Sequence, residues 1–327
     1  MRKHITGGGL DMEHPMGFDR RAAAPLVTVV IPTRNGGERF GEVLEALLAQ
    51  RLSAPFDVLA IDSGSHDGTQ TRLQRAGIRT IAIPPEAFNH GETRNMGARR
   101  ARGRWIVFLV QDATPIGPYW LSALLEGIGR GEGIVGGSAR HIPRADADPV
   151  FIERLREWTP AAAPTDGPRL IEINPRTDSR TGEKPAEQRP IFDNVCSIVC
   201  RRHLLAHPFP RCDFAEDLLW ARDQIRAGHT LTYIPDALVW HSHRRPFLDV
   251  VRRTFREHRV LRDHFGLRTV PNMPIFMRQA VGIAAASPRH GLPATKRLMA
   301  ELLGQYLAGR PNAKGDRMRH PENSDSV

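Results

Sequence analysis

Four groups of polar residues in this chain have the types and spacing to do chemistry. The first is a set of strand-end residues: Thr33 and Asn35 after one apolar run, Asp62 after a second, and Gln111-Asp112 after a third. An aspartate after an early strand can accept hydrogen bonds from a pyrimidine base or a ribose. A second one at the centre of a sheet can hold a divalent cation against a diphosphate. The second group, Phe88-Asn89-His90-Gly91-Glu92-Thr93-Arg94-Asn95, opens a helix whose first turn carries Arg94, a phosphate partner, and Asn95. The third, Asp213-Phe214-Ala215-Glu216-Asp217, sets adjacent carboxylates at a helix start, where one can serve as a general base. The fourth is Trp240-His241-Ser242-His243, whose imidazoles can complete the shell of an ion begun by Asp112. One of the two histidines is expected to face the site.

Each group also has a plain structural reading. Asp62 and Asp67 can shape a turn and cap a helix; position favours function for Asp62 and the turn for Asp67. Asn95 can bond nearby backbone. Carboxylates at a helix start are stabilised by the helix dipole alone. Histidines 241 and 243, taken singly, read as solvated residues.

The elements that must position these groups follow from periodicity. Leu26–Ile31, Phe56–Ile61, Arg79–Ile83 and Trp105–Val110 read as strands, the last with six unbroken apolar residues, as in a strand buried on both faces. Between them, Phe40, Val43, Leu44, Leu47 and Leu48 fall on one helical face behind Asn35, which can cap that helix. Helices are also expected to about Ala76, over Thr93–Arg102, and after Pro118. The alternation predicts an α/β fold with a mostly parallel, doubly wound sheet, and ligands sit at the carboxyl edge of such sheets. Beyond Gly131 come a strand at Ile134–Ala139, a short helix near Phe151–Trp158, and an aperiodic stretch over 159–190 that reads as a lid. Then follow Val195–Cys200, a helix over Glu216–Ala227, and two strands about a Pro235-Asp236 turn. Residues 1–24 read as a loose tail, and residues 246–327 as a basic helical extension.

Composition limits the partners. The net charge is +10, and residues 246–327 hold 14 Lys and Arg against 7 Asp and Glu. That favours phosphate or a membrane face. Aromatic content of 6% leaves few rings for base stacking and argues against nucleic acid. The three cysteines, Cys196, Cys200 and Cys212, fit neither a zinc ribbon nor a disulfide framework, and read as thiols in a reducing cytosol. No signal-peptide core opens the chain, and no apolar run reaches the ~18 residues of a membrane span. The expected location is cytoplasmic, at most peripheral at the inner face of the membrane. Neither G-x-G-x-x-G nor G-x-x-x-x-G-K-[ST] is present, which disfavours a dinucleotide or P-loop site.

The four groups, in this order, resemble the family 2 glycosyltransferases. Val29-Val30-Ile31-Pro32-Thr33-Arg34-Asn35 is similar to that family's opening strand, and Ala60–Thr69 to its second-strand motif. Thr93-Arg94-Asn95-Met96-Gly97 and Gly103 resemble the approach to its metal strand, and Glu216-Asp217 its acidic pair. Phe88-Asn89-His90-Gly91 and Gln111-Asp112-Ala113 are similar to a bacterial rhamnosyltransferase-like branch. Where the family often has Asp-x-Asp, the first position here is Val110, leaving Asp112 as the one strand carboxylate.

The resemblance implies a GT-A nucleotide-diphospho-sugar transferase fold over residues 25–245, with a nucleotide-binding half to about 130 and an acceptor half beyond it. It implies inverting transfer of one sugar from a dTDP- or UDP-sugar to a glycan or lipid-linked hydroxyl, in cell-surface polysaccharide or glycolipid assembly. Asp217 is then the base. Thr33, Asn35, Asp62, Arg94, Gln111 and Asp112 bind the donor nucleotide. Asp112 with His241 or His243 holds Mn²⁺ or Mg²⁺, and Glu216 and Asn95 face the acceptor or support those that do. The Gln-x-x-Arg-Trp motif of processive synthases does not follow the acidic pair. Two other readings compete: a nucleotidyltransferase of related fold, which lacks its Gly-rich loop here, and a non-catalytic basic module that binds membrane surfaces.

Overall fold

The computed structural model describes residues 24–129, 131, 133–158, 169–171, 190, 192–212, 214–243 and 245–310. The expected tail, apart from Ala24, and the expected lid, apart from 169–171 and Pro190, lie outside them, as does Asp213. In chain order the elements are β1 (Val27–Thr33), α1 (Gly37–Leu48), β2 (Phe56–Asp62), α2 (Thr69–Arg75), β3 (Arg79–Ala82), α3 (His90–Arg100), β4 (Trp105–Leu109) and β5 (Thr114–Pro115). They continue with α4 (Trp120–Gly129), β6 (Ile134–Ile142), α5 (Pro149–Trp158), β7 (Arg169–Ile171), β8 (Cys196–Cys200), α6 (Arg201–Ala206), α7 (Glu216–Arg226), β9 (Thr230–Trp240), α8 (Phe247–Phe265) and α9 (Met273–Gly309).

One sheet runs in the order β3-β2-β1-β4-β8-β6-β9-β5, with β7 also on β9. The first four strands are parallel, as the alternation of strands and helices predicts. Past β4 the sheet is mixed. β8 runs antiparallel between β4 and β6, β6 and β9 are parallel, and β5 and β7 are antiparallel to β9. The reversal has a simple result. The carboxyl ends of β1, β2, β4, β6 and β9 and the amino end of β8 share one edge.

Side chains alternate across the sheet and build two cores. Val27, Val29 and Ile31 face Phe40, Val43 and Leu47 of α1, with Trp120, Leu121 and Leu124 of α4 in the same layer. Val30, Leu59, Ile106 and Phe108 face the opposite layer, with Ala98 of α3, Leu204 of α6 and Trp220 of α7. The turn into β4 lies against β1 so closely that a Cβ on Gly103 would meet Thr28 N at 2.5 Å and Val27 C at 2.6 Å. Thr28 Oγ1 accepts from Gly103 N at 2.9 Å and donates to Asp57 at 2.6 Å, which ties β1, β2 and that turn together.

Two local expectations differ from the structure. Asn35 does not cap α1; it sits at φ 49°, a conformation asparagine tolerates, and Gly36 occupies the cap position. The Pro235-Asp236 turn is instead a bulge inside the continuous strand β9, where the register against β6 shifts between Ala139 and Arg140. The helical C-terminal extension is present as α8 and α9, the latter bent at Gly291 (φ 77°). Among the described residues no helix is long and apolar enough to cross a membrane.

Candidate active site

The shared sheet edge gathers two poles. The first is Asp112 with His241 and His243. The β6–β9 ladder continues one residue past β9, with His241 N donating to Ile142 O at 3.0 Å, so His241 is fixed by backbone. Residues i and i+2 of an extended chain point the same way. Both histidines therefore face Asp112, correcting the expectation of one: His241 Nε2 is 3.8 Å from Asp112 Oδ1, and His243 Nδ1 is 3.4 Å from Oδ2. Ser242 points away and is held by Arg39 on its carbonyl (3.4 Å) and Arg144 N on its hydroxyl (3.3 Å).

The electrostatics of this pole suit a cation. Burial pushes the Asp112 carboxyl above its ordinary value. Burial and the neighbouring His141 and His243 hold His241 well below its ordinary value. Burial with Arg245 and Arg253 brings His243 down to about 3. Neutral imidazole is the form that ligates metal. One ligand atom from each of the three lies within 4.8 Å of the others, and His241 Nδ1 is buried with no hydrogen-bond partner among the described residues. This donor set fits a divalent transition metal better than Mg²⁺, which prefers oxygen. Around it stand Arg39, Arg144, Arg245 and Arg253, all within electrostatic range of Asp112 or His243. Burial and Arg253 lower Arg245 from its usual value, against the charge of Asp112.

The second pole is at the start of α7. Ala215 occupies the left-handed region (φ 60°, ψ 38°), a conformation costly for a residue with a Cβ. It turns Glu216 inward and leaves Asp217 half-buried beside it. Glu216 Oε1 accepts from Arg94 Nη1 at 2.7 Å, both side chains 5% exposed. Asp217 Oδ2 accepts from Asn194 N at 2.9 Å, and Oδ1 from Leu218 N at 2.8 Å. Burial and the charge of Glu216 push Asp217 up to about 7, against the Asn194 hydrogen bond. A carboxylate held there is poised to take a proton near neutral pH.

Three residues that the sequence reading missed join the poles. Asn194, at the amino end of β8, also donates from Nδ2 to Glu216 (3.4 Å) and accepts from Arg94 Nη2 on its carbonyl (3.4 Å) and from Ser197 on Oδ1 (2.7 Å). Asp193 Oδ1 lies 3.1 Å from His141 Nε2 at the end of β6. The His141 ring packs edge-on against His241 at 5.5 Å. The available signal was the Asp-Asn pair directly before the apolar run Val195–Cys200.

Several residues expected to bind the donor also have partners within the protein. Arg94 is ion-paired with Glu216. Asn95, expected to face the acceptor or support residues that do, pairs with the backbone of Phe209 through both amide atoms (2.9 and 3.0 Å). Gln111 pairs with Arg34 N and O (2.8 and 3.0 Å). Asn35 Oδ1 accepts from His66 N at 2.9 Å, joining the loops after β1 and β2. Asp62 is fully buried, and Thr33, the Ser65 hydroxyl and N–H, and Gln70 fill its oxygens. Burial opposes its charge, yet the hydrogen bonds from Ser65, Gln70 and Thr33 prevail and hold its pKa below the ordinary value. Asp67 shapes the turn, accepting from Gly37 N and Thr69.

Because Glu216 is buried, removing its partner leaves an unpaired charge. Arg94→Met is expected to lower the unfolding free energy by about 3–5 kcal/mol, read by urea denaturation. Unchanged stability with a raised donor KM would instead return Arg94 to the phosphate.

The family model described as Glycosyl transferase family 2 matches residues 28–197. The O-antigen chain rhamnosyltransferase RfbN of Salmonella typhimurium is 28% identical over 227 residues, 66% of this chain and 66% of its own length. WbaN of Salmonella anatum, also described as an O-antigen chain rhamnosyltransferase, is 28% identical over 222 residues, 67% of each chain. The chain thus spans about two thirds of the length of these curated relatives. In structure it is similar to mannosyltransferase PcManGT from Pyrobaculum calidifontis, solved with GDP-Man and Mn²⁺, with TM-score 0.56 and 17% identity over 88% of this chain and 86% of that one. It is also similar to glucosyl-3-phosphoglycerate synthase from Mycobacterium tuberculosis, with TM-score 0.50 and 18% identity over 74% and 81%. At these identities the likeness speaks for the fold. With the family profile covering more than half its length, this chain belongs to glycosyl transferase family 2 and is a glycosyltransferase.

Proposed function

We propose that the chain moves one sugar, with inversion, from a dTDP- or UDP-sugar to a hydroxyl of a glycan or lipid-linked acceptor. The observation that carries this reading is Asp217, raised to about 7 beside Glu216, on the same sheet edge as Asp112, His241 and His243. Asp217 takes the acceptor proton as the hydroxyl attacks the anomeric carbon from the face opposite the diphosphate. The Asn194 and Leu218 amides orient its carboxylate. The nucleoside lies over the loops joined by Asn35 and shaped by Asp62, Thr33 and Gln111. Arg245 and Arg253 take the phosphate role expected of Arg94. Asp112, His241 and His243 would hold a divalent cation, Mn²⁺ in preference to Mg²⁺, which would supply Lewis-acid charge to the departing diphosphate. The Salmonella rhamnosyltransferases support a deoxysugar donor and a role in surface polysaccharide assembly.

The C-terminal helices suit a membrane-bound acceptor. Met273, Met277 and Val281 form an exposed stripe on α9, 49%, 52% and 64% accessible, beside Arg278. Apolar side chains with flanking cations bind anionic bilayer surfaces. This reading keeps the enzyme peripheral at the inner face of the membrane.

Asp217→Asn is expected to lower turnover by ~10²–10⁴-fold while donor affinity stays near wild type. In the wild type the carboxylate is the active form, so turnover should rise with pH through a midpoint near 7. A flat profile, or normal turnover in the variant, assigns the base elsewhere. Calorimetric titration of UDP, dTDP and GDP with Mn²⁺ and with EDTA should give cation-dependent binding of a uridine or thymidine nucleotide, lost in Asp112→Asn. Binding of GDP alone would exclude the proposed donors. The full chain should sediment with phosphatidylglycerol vesicles, and Met277→Asp/Val281→Asp should not; equal sedimentation removes the α9 stripe from the account.

A further inference from the structure

A second cluster lies at the opposite edge of the sheet. β8 ends at Cys200, level with Trp105 at the start of β4, and α6 follows at once. His203 sits on α6, His207 caps its end, and His229 directly precedes β9. One nitrogen from each imidazole lies within 4.8 Å of the others. Ring centroids are 4.6 Å apart for His203 and His207, 4.5 Å for His203 and His229, and 5.5 Å for His207 and His229. The whole length of β9, 11 residues, separates this group from His241. It is therefore distinct from the candidate active site.

The cluster is built, not merely crowded. His207 N donates to His203 O (2.8 Å), and His207 O accepts from Trp220 Nε1 (2.7 Å). His229 N donates to Gln224 O at 3.0 Å. Gln224, 5% exposed on α7, sets Oε1 2.7 Å from His203 Nε2. An acceptor there keeps the proton on Nε2 and leaves the Nδ1 lone pair for a ligand, as outer-shell partners of metal-binding histidines do. No carboxylate belongs to the group. Imidazole ligands without carboxylate favour zinc, copper or nickel over magnesium or calcium.

We propose that His203, His207 and His229 bind Zn²⁺, with a water completing the shell, and that the ion ties α6 to the entry of β9. Tetrahedral zinc with Zn–N bonds of about 2.0–2.1 Å holds its nitrogens about 3.4 Å apart. His207 is exposed and free to swing in to close that distance.

The test is Zn²⁺ titration of the full chain against a chromophoric chelator. His207→Ala, at an exposed position, is expected to bind one equivalent fewer than wild type. Gln224→Met is expected to keep the stoichiometry and to bind that equivalent about 10–100-fold more weakly. With Co²⁺ in place of Zn²⁺, the visible absorption of a tetrahedral ion should be lower by that one site in His207→Ala. Equal stoichiometry for wild type and His207→Ala overturns the site, and unchanged affinity in Gln224→Met overturns the orienting role of Gln224. The readout is a difference between two full chains, so it stands whether or not the Asp112 group also takes an ion.

Discussion

The antiparallel pairing of β8 with β4 is the constraint on which the site depends. Leu109 lies opposite Cys196, so the residues just before β8 come level with those just after β4. Asp193 and Asn194 thereby join an edge otherwise made of carboxyl strand ends. Asn194 then uses its backbone and its side chain at once, toward Asp217, Glu216, Arg94 and Ser197. A parallel strand in that place would put its amino end, and this bracket, at the far edge of the sheet.

Five of the charged groups gathered there are displaced from their solution behaviour. Asp217 and Asp112 hold their protons too tightly, His241 and His243 too loosely, and Arg245 is pulled down. The raised carboxyls oppose folding once pH exceeds the ordinary carboxylate value, and the lowered imidazoles do so in acid, below 6.5. Groups of this kind concentrate where a ligand of matching charge relieves them. Arg94 is spent inside the protein, where it neutralises the buried Glu216 beside Asp217.

Much of the frame was legible in the chain. Unbroken apolar runs, a helical face at Phe40–Leu47 and the turn residues between them predict the first four strands and their alternation with helices. The carboxylate at the end of β4 and the histidines after β9 were also visible by type and position. Other features were not, for physical reasons. Arg94 meets Glu216 across 122 positions, and Asn95 meets Phe209 across 114, with no local period to announce either contact. Asp62 sits where a ligand acceptor was expected, yet its neighbours Thr33, Ser65 and Gln70 reach it first. The direction of β8 is a tertiary choice that a short apolar run does not encode. The two histidines needed only the two-residue repeat of an extended chain applied past the end of β9.

The path from β6 to β8 has a consequence for how such proteins diverge. Ile142 ends one strand and Cys196 begins its hydrogen-bonded neighbour, with residues 143–195 between them. Closing a connection of this kind depends only weakly on its length, each doubling costing about 0.6 kcal/mol. A lineage can therefore lengthen, shorten or rewrite this excursion at little thermodynamic penalty while the ladder at its base stays in register. The site residues at its two ends, Arg144 and Asp193-Asn194, are held by Ser242, His141 and Asp217, whatever length of chain lies between them.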